Sequence, residues 1–337
     1  MKNILITDPT LRDGSHAVGH QISAAQIAAY CKAADAAGIP IVEVGHGNGM
    51  GASSLQVGLS LLEDGEMLKI ARENLTTSKL EIFVLPGFAT INKDLKPALE
   101  AGVDAVRVAA HCTEADITER HISFVREKGK LAYGCLMMTH MVSKETLLEE
   151  ARKMESYGAQ GVILMDSAGA YLPQDVKEKV GILAEHLNVP VGFHAHNNLS
   201  MAVANSVAAV EAGASILDGT AKGFGAGAGN TPIEILVAVL EKMGYSTGID
   251  LYKVLDASDV AEKELMKVLP SIKPISVISG LAGVFAGFSK HVERVATEYK
   301  LDPRDIFFEL GKRKVVAGQE DLIVEVAIQL SQKRKTQ

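Results

Sequence analysis

The chain has 337 residues, 47% of them apolar, so it can bury a sizeable core and holds one large or two medium domains at roughly 150 residues each. Its net charge is −7 and its basic runs, such as the tail QKRKTQ, are short, which argues against a nucleic-acid partner. No apolar run approaches the roughly 20 residues of a membrane helix, and the start MKNILITDPT carries too few apolar residues after its Lys for a signal peptide, so a cytoplasmic protein is expected.

The first strand is predicted over 3–7. It runs into TDPTLRDGSHAVGH, Thr7 to His20, which sets Arg12, Asp13, His16 and His20 directly behind an apolar run. Such a density of charge and imidazole does nothing for folding and suits a metal or acid/base site. Ser23 is placed to cap the first helix, with Gln26 three residues on and Ile27, Cys31 and Ala34 on one face. From there one unit repeats: an amphipathic helix ends at Gly or Asn, a few residues follow, and a β-branched run begins. It reads AAGIPIVEVG, EAGVDAVRVA, EKGKLAYGCLMM, SYGAQGVILMD, HLNVPVGFHAH and EAGASILDGT in chain order. Strands are predicted at 41–45, 80–85, 104–109, 131–138, 161–166, 190–194 and 215–218. Most are continuous apolar runs, which fits a parallel sheet covered on both faces. Eight βα units over about 245 residues fit a (β/α)8 barrel better than an open doubly wound sheet.

After the eighth strand comes GFGAGAGN, Gly223 to Asn230. It imitates a dinucleotide fingerprint, but it opens no early βαβ unit and no acidic residue ends a following strand, so no nucleotide is expected. Cys31, Cys112 and Cys135 show no CxxC spacing and read as small core residues. Beyond about residue 245 the rhythm gives way to helical stretches, DLYKVLDASDVAEKELMKVL and HVERVATEYKL. The expected division is a catalytic barrel over 1–262 and a helical, partner-contacting C-terminal region over 263–337.

In such a barrel, chemistry gathers at the C-terminal ends of the strands. Six of the ten histidines, His16, His46, His111, His140, His194 and His196, fall at those ends. The sharpest piece is FHAHNN. His194 and His196 are two apart on a strand, so both rings point the same way. Two neutral imidazoles and one carboxylate make a facial site for a divalent metal, and Asp13 is the obvious carboxylate. The alternative is a pair of hydrogen-bonded rim histidines. Beside such a site Arg12 can stabilise developing negative charge, and His16 can act as base without being a ligand. His20 reads as a supporting residue. Ser167 either bonds a substrate carboxylate or caps a helix, and Asn230 is either a fourth ligand or a loop-shaping residue.

DPTLRDGSH, MDSAGAY, FHAHNN and GFGAGAGNTP resemble the pyruvate-dependent aldolases that cleave 4-hydroxy-2-oxo acids, within the wider group of hydroxymethylglutaryl-CoA lyase and isopropylmalate synthase. The resemblance covers essentially the whole chain, and HCTEADI, LMMTHM and ELGKRKVVAGQEDLIVEVA select the aldolases within that group. It implies Mn2+, with Mg2+ or Co2+ as substitutes, held by Asp13, His194 and His196. It also implies Arg12 as enolate stabiliser, His16 as base, and substrate contacts from Arg12, Ser167 and the metal site, Asp13 and His194 included. It implies retro-aldol cleavage to pyruvate and an aldehyde, and an acylating aldehyde dehydrogenase docked on the C-terminal region. The chain departs from the pattern at Phe285, a substrate-facing position where these aldolases usually carry Tyr, so a phenol hydroxyl is absent. Two rivals are an acyl-CoA lyase or synthase on the same barrel and a non-catalytic subunit of a dehydrogenase complex. A Schiff base at Lys222 is a weaker reading. The run LIVEVAIQL, Leu322 to Leu330, alternates poorly for a surface helix and is expected to need cover from a partner.

Overall fold

The structure is a computed structural model that describes residues 2–316 and 318–336. Eight parallel strands close into a barrel in chain order: β1 (Leu5–Leu11), β2 (Ile41–Val44), β3 (Lys79–Val84), β4 (Ala105–His111), β5 (Leu131–Met137), β6 (Val162–Asp166), β7 (Val191–Ala195) and β8 (Ile216–Asp218). The outer helices are α1 (Ala24–Ala36), α2 (Asp64–Asn74), α3 (Lys96–Glu100), α4 (Glu119–Glu127), α5 (Lys144–Ser156), α6 (Pro173–His186), α7 (Ala202–Glu211) and α8 (Ile233–Lys242). Helix α1 starts where its sequence predicts. Gln26 N–H donates to Ser23 Oγ, and Ser23 N–H donates back to the Gln26 side chain at 2.8 Å, which satisfies two donors of the first turn.

The first strand runs further than the sequence suggests. DPTL lies inside β1, whose pairing with β2 shifts register between Asp8 and Leu11, and the loop begins only at Arg12. Asp8 is the reason a polar stretch stays in a buried strand. Its carboxylate accepts from Thr10 N–H at 2.9 Å and from Tyr30 Oη at 2.5 Å, so the charged group is satisfied within the fold. A 3-10 turn, Asp13–Val18, then carries the chain across the barrel mouth.

The apolar core lies in two layers around the sheet. One sits between strands and helices, and a smaller one inside the barrel holds Ile41, Phe83, Tyr133, Ile163 and Met165. The barrel interior is not wholly apolar. Glu43 of β2, Glu81 of β3, Arg107 of β4 and Asp218 of β8 are buried there together.

Helix α9 (Leu251–Leu265) packs on α1 and puts Val254, Ala261 and Leu265 into the barrel's own core. Four more helices, α10 (Pro274–Ala282), α11 (Ser289–Tyr299), α12 (Pro303–Lys312) and α13 (Asp321–Thr336), form a second apolar cluster from Ile275 to Ala327. Here one expectation is corrected. LIVEVAIQL lies in α13 and is covered by the chain's own helices: Ile323, Val326 and Ala327 are buried against α11 and α12, and of its large apolar side chains only Ile328 counts as exposed. Its apolar residues recur every three or four positions, which is helical spacing. The run therefore gives no argument for a partner. No helix among the described residues is long and apolar enough to cross a membrane.

Candidate metal centre

The 3-10 turn after β1 and the end of β7 bring Asp13, His194 and His196 together. Their ligand atoms all lie within 4.8 Å of one another, and all three residues are buried. Asp13 Oδ2 stands 3.8 Å from His194 Nε2 and 3.9 Å from His196 Nε2, and the two ring nitrogens face each other at 3.4 Å. His194 Nδ1 lies 2.8 Å from Asp218 Oδ2, so the proton sits on Nδ1 and the Nε2 lone pair is turned toward Asp13. Burial draws the His196 pKa down to about 4, so that ring is neutral at pH 7. Burial pushes the Asp13 carboxyl up, but Arg12 and the two imidazoles outweigh it and hold it below the usual carboxylate range. Two imidazole nitrogens and a carboxylate oxygen thus face one space. That donor set repels itself when left bare and suits a divalent cation.

Asp13 is fixed from both sides. Ala226 N–H of the glycine-rich loop donates to Oδ1 at 3.0 Å, and Arg12 Nη1 donates to Oδ2 at 2.7 Å. Arg12 is itself held by Glu43, whose Oε1 accepts from Nε at 2.5 Å, and its guanidinium lies 4.5 Å over the Phe83 ring. Its Nη2 is buried without a partner. A spare donor beside the ligand set is what an anionic substrate group needs.

The site opens on a cavity of about 410 Å³ lined by Arg12, Asp13, His16, Ser167, His196 and Phe285, among others. Half-buried His16 lies on its wall, and burial draws its pKa down to about 4. Buried Ser167 accepts a hydrogen bond from Met138 N–H at 3.1 Å and caps no helix, so its hydroxyl proton is free to donate into the cavity. Phe285, carried over the rim by the segment between α10 and α11, packs edge-on against Phe288 with ring centroids 5.7 Å apart. Asn230 pairs with His196 in an isolated bridge, and its buried side-chain oxygen has no partner.

Four other rim residues do other work. His20 and His46 stack at 3.6 Å and back His16, with His46 Nε2 on Gly58 O. His140 binds Gly283 O at 2.9 Å and ties the barrel to the C-terminal region. Lys222 pairs with Asp259 of α9 at 2.8 Å and takes no part in the site.

Glu43, Arg107 and Asp218 escaped the reading of the sequence. The signal was there: IVEV, AVRVAA and ILD each set one charge within or at the end of an apolar strand, and a charge flanked by buried residues must meet a counter-charge inside.

A closed parallel barrel with a carboxylate and two imidazoles at its C-terminal mouth is a (β/α)8 barrel with a candidate divalent-metal site. Residues 3–261 match the HMGL-like family, and residues 270–332 match the DmpG-like communication domain. The chain is 63% identical to a 4-hydroxy-2-oxovalerate aldolase of Pectobacterium atrosepticum, over 99% of this chain and 97% of that one. It is 62% identical to the protein of the same name from Spirochaeta aurantia, over 96% and 95%. The carboxyl transferase domain of Rhizobium etli pyruvate carboxylase shares the fold, at a TM-score of 0.81 and 17% identity over 99% of this chain and 61% of that one. The chain belongs to the HMGL-like family and, within it, to the 4-hydroxy-2-oxovalerate aldolases. It is a carbon–carbon lyase that depends on a divalent metal.

Proposed function

We propose that the chain cleaves a 4-hydroxy-2-oxo acid, such as 4-hydroxy-2-oxopentanoate, to pyruvate and an aldehyde, with Asp13, His194 and His196 holding Mn2+. The observation that carries this reading is the clustering of those three side chains beside one cavity whose wall includes Asp13, His196, Arg12 and His16. A divalent ion bound there supplies Lewis-acid polarisation of the 2-oxo group. Ser167 donates its hydroxyl to the substrate carboxylate. His16, neutral at pH 7, takes the proton of the 4-hydroxyl as the C3–C4 bond breaks and the aldehyde carbonyl forms. The electron pair of that bond moves to C3 and onto the 2-oxo oxygen as the enolate of pyruvate. Arg12, anchored by Glu43, stabilises this charge as it develops, and protonation at C3 completes pyruvate. Phe285 bounds the side where the C4 substituent lies, without the hydroxyl that Tyr would offer.

The test is pyruvate release from a series of 4-hydroxy-2-oxo acids, with and without chelator. Chelation should abolish turnover and added Mn2+ restore it. His194→Ala and His196→Ala should each leave almost none. Full activity after chelation would sink the metal reading.

The chain divides, on this reading, into a catalytic barrel and a partner-contacting helical region, with the boundary just after α9 rather than at 262, since Leu265 still packs in the barrel core. The match to a communication domain over 270–332 supports an acylating aldehyde dehydrogenase as the partner that consumes the aldehyde. Co-expression with such a dehydrogenase should give one co-eluting complex by size-exclusion chromatography, and an aldolase that always elutes alone would count against it.

A further inference from the structure

Arg107 lies in the middle of β4, fully buried inside the barrel, away from the cavity lining. Its fork grips Asp218, with Nη1 at 2.5 Å from Oδ2 and Nη2 at 2.6 Å from Oδ1. The same Asp218 oxygen holds His194 Nδ1 at 2.8 Å. On its other side Arg107 Nε faces Glu81 Oε2 at 3.0 Å and Glu43 Oε2 at 3.7 Å. Glu43 in turn anchors Arg12, Arg12 grips Asp13, and Asp13 faces His194. Followed round, Asp13, Arg12, Glu43, Arg107, Asp218 and His194 form a closed loop of side chains drawn from five strands or their ends. Each charge in it would be costly alone in the interior, and each faces an opposite charge or a hydrogen-bond partner in the next member; the Arg107–Glu43 contact, at 3.7 Å, is a charge contact without a hydrogen bond.

We infer that Arg107 is a positioning residue that holds the ligating edge of His194 and the guanidinium of Arg12 in a fixed relation to one another. One arm works through Asp218, which sets the ring angle and tautomer of His194. The other works through Glu43, which aims Arg12. A planar two-pronged cation is required because a bidentate grip on Asp218 fixes the orientation of that carboxylate, and a lysine point charge cannot do so. The inference rests on the reading of Asp13, His194 and His196 as the metal ligands.

Arg107→Lys keeps the charge and removes the fork. Two quantities report the two arms: the Kd for Mn2+ of the chelator-stripped protein, by calorimetry, and kcat at saturating Mn2+. Outer partners of metal-ligating histidines are typically worth about 10–100-fold in affinity or activity. Arg107→Lys should therefore raise the Mn2+ Kd at least tenfold and lower kcat at least tenfold in protein that is folded by circular dichroism. Both quantities within twofold of the parent, even with a lowered Tm, would make Arg107 a structural residue only and overturn the inference. If Arg107→Lys does not fold, Asp218→Asn and Glu43→Gln carry the test. The first should raise the Mn2+ Kd tenfold and the second should lower kcat tenfold, and either quantity staying within twofold overturns it. His194→Ala separates the two readings. If it still binds Mn2+ as the parent does, the metal site itself is wrongly assigned. If it loses Mn2+ while Arg107→Lys retains it with unchanged kcat, only the positioning role fails.

Discussion

Arg12 links the ligand set to the barrel interior. It neutralises Asp13, rests on Phe83 and keeps one nitrogen spare. On the proposed mechanism its charge acts mainly as the enolate forms, so Arg12→Ala should lower kcat by far more than it raises KM, and equal effects on the two would argue for plain substrate binding. Gly225 has a different duty. A Cβ there would collide with the Asn230 amide and come within 2.9 Å of Asp13 Oδ1. Gly225→Ala should weaken Mn2+ binding measurably in a titration of the stripped protein, and unchanged affinity would show that the loop can yield. Phe285→Tyr returns the missing hydroxyl to the cavity wall. One net hydrogen bond is about 0.5–1.5 kcal/mol, so preference between C4 enantiomers should shift by up to roughly tenfold in kcat/KM. A constant enantiomer ratio with a lower Tm would mean that Phe285 only packs. The candidates taken from the sequence, Arg12, Asp13, His16, Ser167 and the HxH pair, meet at one end of the barrel because the strand ends of such a barrel share its mouth. Arg107 and Asp218 could not be paired in advance, because nothing local in β4 announces that β8 faces it across the barrel.

Elements were legible where apolar rhythm was strong and blurred where polar groups were satisfied internally. The strands from β2 to β8 lie within a residue or two of their predicted bounds. β1 was cut short because DPTL looks like a turn until Tyr30 arrives from α1 to bond Asp8. The same helix makes a second such link near its C-terminal end. Asp35 accepts from Thr77 N–H at 2.8 Å and Ser78 N–H at 2.7 Å, which pins the turn ahead of β3. Partial burial raises this carboxyl, but the backbone donors outweigh it and hold its pKa below the usual range. Its folded pKa is thus lower than its unfolded one, near 4, so the stabilisation is present above about pH 4 and is lost as pH falls below that. Asp35→Ala should cost about 1–2 kcal/mol in urea denaturation at pH 7 and progressively less below pH 4. A deficit that stays constant with pH would mean that the charge is not what holds the turn.

At the scale of the whole molecule, the C-terminal helices complete the site. Ala286 N–H donates to Ser167 O at 3.2 Å, His140 holds Gly283 O, and between these two ties Phe285 is lowered onto the cavity. His140→Ala frees one tie. KM should rise severalfold while the Mn2+ Kd stays put, since no metal-site atom contacts His140; a changed Mn2+ Kd would mean the strain reaches β7. Nothing in the periodicity of the sequence foretold this roof, because it depends on where α10 lands and not on what α10 is made of.

The closed loop of charged side chains and the cavity wall share little. The wall beyond the chemistry is formed by Leu85, Ile117, Met137, Phe285 and Val316, none of which belongs to that loop. Mutational drift at those five positions would reshape the room for the aldehyde without touching the charged loop, whereas a change at Arg107, on the inference above, would disturb His194 and Arg12 together. The molecule is in this sense evolvable in what it accepts and conservative in what it does to it.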